Sequence, residues 1–314
     1  MRPHDHRLSR RDLLKTGGAA AGAAALAAIS PPASPQAAAA RSQPVAPHIS
    51  GPLYWEQLGR SGTPIAFVHP APMDHSCYLY QTAHLSTWFR CVAMDLPGWG
   101  RSPAALPGLT ADDLAQAVWS VMDEAVGSDP AIIVGISIGS TVALHMANLA
   151  PERTLAVVLS GAGYTPGPKE YAPRRIAQYR EVGIELRYEH TFTDFSPEFN
   201  ETEMSRWIAT LLTERNPWGS VEGIAEVFRA VGEADPDGLY EGIHSPMLII
   251  TGSKDNAHAT SFDLQAKVAG CELVTMEGAG HACNMERPWE WDAQFLAFLA
   301  RHGLFSGESR WPLS

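Results

Sequence analysis

Basic charge is scarce in this 314-residue chain: 23 Lys and Arg stand against 34 Asp and Glu, a formal net charge of -11. That balance argues against a nucleic-acid partner, because phosphate binding needs a basic face. Cysteine is scarcer still. Cys77, Cys91, Cys271 and Cys283 form neither a CxxC pair nor a zinc pattern, and a core this large does not need disulfide support. Free, partly buried thiols are the expectation; a Cys77–Cys283 bridge stays open only because both lie near the loops identified below. Long apolar runs are also missing. The best, over 17–29, has 13 residues and is mostly alanine, too short to span a bilayer comfortably. No internal repeat is visible.

What is present begins with an address. Ser9-Arg10-Arg11-Asp12-Leu13-Leu14-Lys15 resembles the twin-arginine export signal, with leucine where phenylalanine is usual. The alanine-rich run follows, and Ala38-Ala39-Ala40 offers the small residues that a signal peptidase needs. We expect residues 1–40 to be a signal read by the twin-arginine translocation machinery, 41–50 a linker, and the mature protein periplasmic or extracellular. No cysteine precedes Cys77, so no lipid anchor is indicated.

Beyond the linker, short apolar runs alternate with longer helical patterns, the mark of a mostly parallel sheet covered by helices. Strands are expected at 53–57, 65–69, 91–95, 131–135, 155–159, 247–251 and 272–276. Several are continuous aliphatic runs, as strands buried on both faces should be. Thr110 followed by Asp113 marks a helix start, and helices are expected over 138–150 and 291–300. The alternation stops between 164 and 242, where helices are expected at 169–182, 200–214 and 220–231, the second starting at Asn200 with Glu203. Such an insert between two strands reads as a helical cap over the strand ends, where α/β sheets place their sites. The core is then 51–163 with 243–314.

The stretch IIVGISIGST places Ser137 between an aliphatic strand and a helix. A serine hydroxyl is a poor nucleophile until a histidine takes its proton and a carboxylate orients that histidine. The strand-to-helix elbow holds the hydroxyl over the sheet, and Gly135 and Gly139 avoid a collision where strand and helix cross. Two partners follow in order: Asp255 after the strand in LIITGSKDNAH, and His281 in the glycine-rich loop of ELVTMEGAGHACNMERPWEW.

On these residues the chain, from about 51 to 304, resembles the capped α/β-hydrolase superfamily, a group with esterases, lactonases, C–C hydrolases and cofactor-free perhydrolases. Asp95-Leu96-Pro97-Gly98-Trp99-Gly100-Arg101-Ser102 and Gly278-Ala279-Gly280-His281 match that group's loops. The resemblance implies an α/β-hydrolase fold with a mostly parallel central sheet, flanking helices and a cap insertion. It also implies an oxyanion hole in a His-Gly-x-Pro segment. Here that segment is His69-Pro70-Ala71-Pro72, with proline where glycine is expected. Prolines have no N–H, so Ala71 is the donor left there, and Ile138 is the second.

The reaction this implies is acyl transfer, with Ser137 as nucleophile, His281 as base, Asp255 orienting it, and no metal or organic cofactor. The substrate reads as a small to medium, rather apolar ester or lactone. C–C, amide, aminopeptidase and perhydrolase chemistry use the same triad, and a ligand-binding protein with little turnover is the alternative of another class. Met73, Trp207 and Trp218 are candidate substrate contacts, although both tryptophans could equally form the cap's own core. Asp74 and His75 read as capping residues rather than catalytic ones, and His69 as a structural hydrogen-bonder. Asp95 reads as a turn residue and His145 as a packed or surface histidine. Glu198, Glu201 and Glu203 could anchor an amine but read as a helix surface. The oligomeric state is not legible.

Overall fold

Six consecutive buried residues, Ala131–Ile136, form the central strand β4, and its composition explains its place: every side chain is aliphatic or absent, so both faces can be covered. The computed structural model describes residues 48–162, 170–214, 217–234 and 237–307. The export segment, most of the linker, and 164–169 at the start of the expected cap lie outside the described residues.

Around β4 the strands are β1 (Trp55–Leu58), β2 (Pro64–Val68), β3 (Arg90–Met94), β5 (Thr154–Ser160), β6 (Met247–Gly252) and β7 (Glu272–Met276). They make one sheet of seven strands in the order β1-β3-β2-β4-β5-β6-β7. Only β1 runs antiparallel, against β3; every other neighbouring pair is parallel. All seven expected strands are present, and the fold is the α/β-hydrolase fold. The burial of β1 alternates, Trp55 to Leu58 reading half-buried, exposed, half-buried, exposed, as suits an edge strand with one wet face.

The helices of the core are α1 (Leu79–Leu85), α2 (Ala111–Val126) and α3 (Ile138–Leu149), with α10 (His258–Lys267), α11 (Cys283–Glu286) and α12 (Pro288–Arg301) after the inserted segment. At the start of α2, Thr110 Oγ1 accepts the Asp113 N–H at 3.1 Å and Asp113 accepts the Thr110 N–H at 2.9 Å. This reciprocal box satisfies two orphan donors, worth about 1 kcal/mol. Helices cover both faces of the sheet. Val118, Met122, Val142 and Met146 pack on one face, and Phe295, Phe298, Cys77 and Leu85 on the other.

Between β5 and β6 lie α4 (Tyr171–Val182), α5 (Leu186–Thr193), α6 (Pro197–Asn200), α7 (Glu203–Thr213), α8 (Val221–Gly232) and α9 (Asp237–Glu241). One expected helix start is corrected. Asn200 ends α6, its amide donating to Phe192 O at 2.9 Å, and Thr202 caps α7 by accepting the Ser205 N–H at 3.2 Å. A hydroxyl at 202 suits the extended N-cap conformation and leaves Glu203 in the first turn. The inserted helices hold to the core at several points. Ser220 N–H donates to Gly98 O at 2.8 Å, Phe228 packs on Trp99 with ring centres 6.2 Å apart, and Arg229 donates to Leu109 O at 2.7 Å. Among the described residues no helix is long and apolar enough to cross a membrane.

Candidate active site

Ser137 sits between β4 and α3 at φ 54°, ψ -119°, in the left-handed region that a side chain rarely adopts. Holding it there costs on the order of 1–3 kcal/mol, which the surrounding bonds offset. Its N–H donates to Ser160 O at 3.0 Å and its carbonyl accepts the Ser140 N–H at 2.9 Å. The flanking glycines are needed for space. A Cβ on Gly135 would lie 2.3 Å from Gly139 O, and one on Gly139 would lie 2.2 Å from Val68 O. The same approach brings the start of α3 against the end of β2, where the His69 loop begins.

Asp255 and His281 come from the loops after β6 and β7. His281 Nδ1 is 2.8 Å from Asp255 Oδ1, and that carboxylate also accepts the Ala257 N–H at 2.8 Å. Burial alone would lower the His281 pKa, but the charge of Asp255 and the bond to it outweigh burial and raise it to about 9. Burial likewise works to raise the Asp255 pKa, and His281 reverses it, leaving the carboxyl below its usual range. The imidazole lies over Gly161, whose imagined Cβ would sit 2.8 Å from His281 Cε1. Gly161 directly follows Ser160, the residue that holds the Ser137 N–H, so the histidine and the serine elbow share one short piece of backbone. Among the described residues Ser137 Oγ makes no hydrogen bond. Hydrolase structures without substrate often hold the serine–histidine contact long.

The two donors expected from sequence are both buried and both unused: among the described residues neither the Ala71 N–H nor the Ile138 N–H has an acceptor. Buried backbone N–H groups are rarely left so. The loop that carries Ala71 is held from several sides. His69 Nε2 accepts the Leu96 N–H at 2.8 Å, which leaves the proton on Nδ1 to donate to Pro70 O at 2.8 Å. Burial lowers the His69 pKa, in keeping with this neutral form. The Met73 N–H donates to Pro70 O at 3.1 Å.

Other residues singled out in the sequence take plainer places. Asp74 caps a short helical turn by accepting the Ser76 N–H at 3.0 Å, and Asp95 accepts from the backbone of His75 and Arg101, each at 2.9 Å. Ligand atoms of Asp74, His75 and Asp95 lie within 4.8 Å of one another, a spacing a metal ion tolerates. The carboxylate oxygens of Asp74 and Asp95 already accept from these donors, from Arg187 and from His75 Nδ1, so the chemistry is that of a braced turn. His145 is buried beside Asp112, with Nδ1 2.6 Å from Oδ1. Met73 is fully buried. Trp207 and Trp218 are 44% and 51% exposed, so neither forms a buried core among the inserted helices. All four cysteines are free and buried, without a Cys77–Cys283 bridge.

Two residues near the site have no forerunner in the sequence reading. Asp194, after α5, accepts the Ala282 N–H on its carbonyl at 2.8 Å, next to His281. Its carboxyl is buried, Oδ2 has no partner among the described residues, and burial raises its pKa to about 7 against the pull of His281 and Arg175. Arg187, on α5, is fully buried and reaches Pro72 and Asp74 in the loop that carries Ala71. A lone arginine or aspartate in a helical stretch ordinarily reads as surface; only its place on the face of Leu186, His190 and Thr191 would have marked Arg187.

A seven-stranded sheet of this order, with a strained serine at the central elbow and a His–Asp pair on later loops, defines an α/β hydrolase. The family model described as the alpha/beta hydrolase family matches residues 65–291, and the chain belongs to that enzyme family. It is 28% identical to the dihydrolipoyllysine-residue acetyltransferase component of the acetoin cleaving system of Pseudomonas putida, covering 80% of this chain and 67% of that one. It is 29% identical to the 2-hydroxy-6-oxononadienedioate/2-hydroxy-6-oxononatrienedioate hydrolase of Klebsiella pneumoniae, over 68% of this chain and 77% of that one. Among solved structures, the enol-lactonase from Burkholderia xenovorans LB400 superposes with a TM-score of 0.71 at 24% identity, over 79% of this chain and 96% of that chain.

Proposed function

We propose that the protein is a serine hydrolase that cleaves a carboxylic ester or lactone of a small to medium, rather apolar substrate through an acyl-enzyme. The observation that carries the reading is the pair of N–H groups without acceptors among the described residues, that of Ile138 next to the strained Ser137 and that of Ala71 in the loop that begins where Gly139 passes Val68 O and His69 O. An oxyanion that develops during attack on a carbonyl is the acceptor such donors suit. In this reading His281 takes the Ser137 proton, and Asp255 holds the imidazole in the tautomer that leaves Nε2 free to do so. His281 then returns the proton to the leaving group, and water activated by the same histidine releases the acyl group. The inserted helices serve as a cap that encloses the substrate.

The likeness to the Klebsiella hydrolase of a hydroxy-oxo-dienedioate favours one second reading, hydrolysis of a C–C bond beside a ketone with the same oxyanion donors. Export is part of the proposal and rests on the arginine pair, the alanine-rich run and Ala38-Ala39-Ala40 in that order.

The test is hydrolysis of a chromogenic ester series of increasing acyl length, with lactones alongside, by wild type and Ser137→Ala. Turnover that disappears in the variant supports the proposal. Turnover that persists unchanged in the variant sinks it, and a wild type inert to every ester and lactone turns attention to the C–C substrate or to a binding role.

A further inference from the structure

Arg187 donates to the loop that carries Ala71 and to the helices around it. Nε donates to Pro72 O at 2.6 Å, and Nη2 to Asp74 Oδ2 at 2.9 Å and to Leu212 O at 2.8 Å. Nη1 reaches Trp218 O at 3.4 Å. The Arg187 side chain is 1% exposed and that of Asp74 0%. One cation from α5 therefore ties the end of α7 and the approach to α8 to residues 72 and 74 of the core.

The geometry of Ala71 gives that tie a consequence. In a planar trans peptide the N–H points away from the preceding C=O in the same plane, so whatever fixes Pro70 O fixes the direction of the Ala71 N–H. His69 and Met73 hold Pro70 O from the core. The Met73 N–H that holds Pro70 O shares its peptide plane with Pro72 O, and Pro72 O is held by Arg187, which belongs to the inserted segment. We propose that Arg187 is a positioning residue for the oxyanion donor, so that the docking of α5 and α7 sets the aim of the Ala71 N–H and the inserted helices act in the chemistry as well as around the substrate. This rests on the reading of Ala71 as an oxyanion donor. Arginine is required because lysine, a point charge with three donors, cannot span three carbonyls and the carboxylate with one planar fork.

The experiment compares wild type, Arg187→Lys and Asp74→Asn by three readouts: kcat and KM on the best ester, the rate at which a fluorophosphonate probe labels Ser137, and amide hydrogen exchange over residues 70–78, with circular dichroism to report folding. Arg187→Lys is expected to lower kcat and the labelling rate by roughly 10- to 100-fold with KM within about threefold, as a misaimed donor should. Exchange over 70–78 should quicken. Asp74→Asn removes one anchor while keeping the shape, and should move the same readouts the same way by about three- to tenfold; it decides the matter if the lysine variant does not fold. An unchanged kcat, or a fall in kcat with unchanged exchange over the loop, overturns the proposal. A wild type that neither turns over esters nor takes the probe counts against the ester-hydrolase reading instead, and the exchange data still show whether Arg187 governs the loop.

Discussion

Two histidine–carboxylate pairs in this protein look alike at close range. His281 Nδ1 lies 2.8 Å from Asp255 Oδ1, and His75 Nδ1 lies 2.6 Å from Asp95 Oδ1. In both, burial works to lower the histidine pKa and the carboxylate partner reverses it, so both imidazoles are raised. The surroundings differ. Around His75 the backbone fills the carboxylate: its own N–H and that of Arg101 donate to Asp95, and Nε2 faces Glu56 at 3.7 Å. Beside His281 lie Gly161, next to the residue that holds the strained Ser137, and the Asp194 carboxyl, whose Oδ2 has no partner among the described residues. A His–Asp pair is thus not by itself a mark of catalysis; His145 beside Asp112 is a third such pair, with a buried Nε2 that finds no partner among the described residues and no strained serine elbow joined to it.

The strongest way to break this comparison is to exchange the two histidines in turn. His281→Gln is expected to lower kcat/KM by at least about 10⁴-fold, because on the proposed mechanism the serine loses its base. His75→Gln should leave kcat/KM within about fivefold and instead reduce unfolding stability by about 1–3 kcal/mol, the range for a buried carboxylate that loses its donor. Steady-state kinetics and urea unfolding of the two variants check both halves. Equal losses of activity would mean that the turn at Asp95 belongs to the site.

A smaller effect separates the pairs by pH. The proposed mechanism requires His281 unprotonated, and with its pKa raised to about 9, kcat/KM should climb about tenfold per pH unit below that value and level off above it. Stability runs the other way. A histidine whose folded pKa exceeds its unfolded 6.5 contributes stability fully below that pH and loses it as pH rises through the folded value. The pair therefore weakens as the enzyme becomes more active. In Asp255→Asn the rising limb should move to lower pH while the maximum falls, whereas His75→Gln should keep the wild-type limb. A kcat/KM profile from pH 6 to 10 for the three proteins checks this, and a limb unmoved in Asp255→Asn would remove Asp255 as the partner.

The strands and the serine elbow were legible because each leaves a local mark: aliphatic runs for strands buried on both faces, and small residues where Gly139 passes Val68 O. Asp255 and His281 were legible because loops after strands place their side chains together whatever lies between. Arg187 was not, because its meaning lies in carbonyls of residues 72, 212 and 218, far away in sequence. Asp194 was hidden likewise, since nothing in the run around it shows that its carbonyl will meet Ala282. Asn200 misled for a simpler reason: Asn and Thr both cap helices, and the hydroxyl at 202 won.

Trp207 offers the smallest effect and the finest contrast with Arg187, since both belong to the inserted helices and only one reaches the core. Ser205, Ile208, Ala209 and Leu212 are the buried residues of α7, and Trp207 stands outside that face at 44% exposure. Trp207→Ala is therefore expected to change stability by no more than about 0.5 kcal/mol, as for a surface site. If the ring meets substrate only where the helices close over it, KM should rise by a few fold with kcat held. A tryptophan outside the substrate path should leave both constants unchanged. A fall in kcat at constant KM would be the signature expected of Arg187, and would mean that the outer face of α7, not only its anchored end, controls the aim of the Ala71 donor.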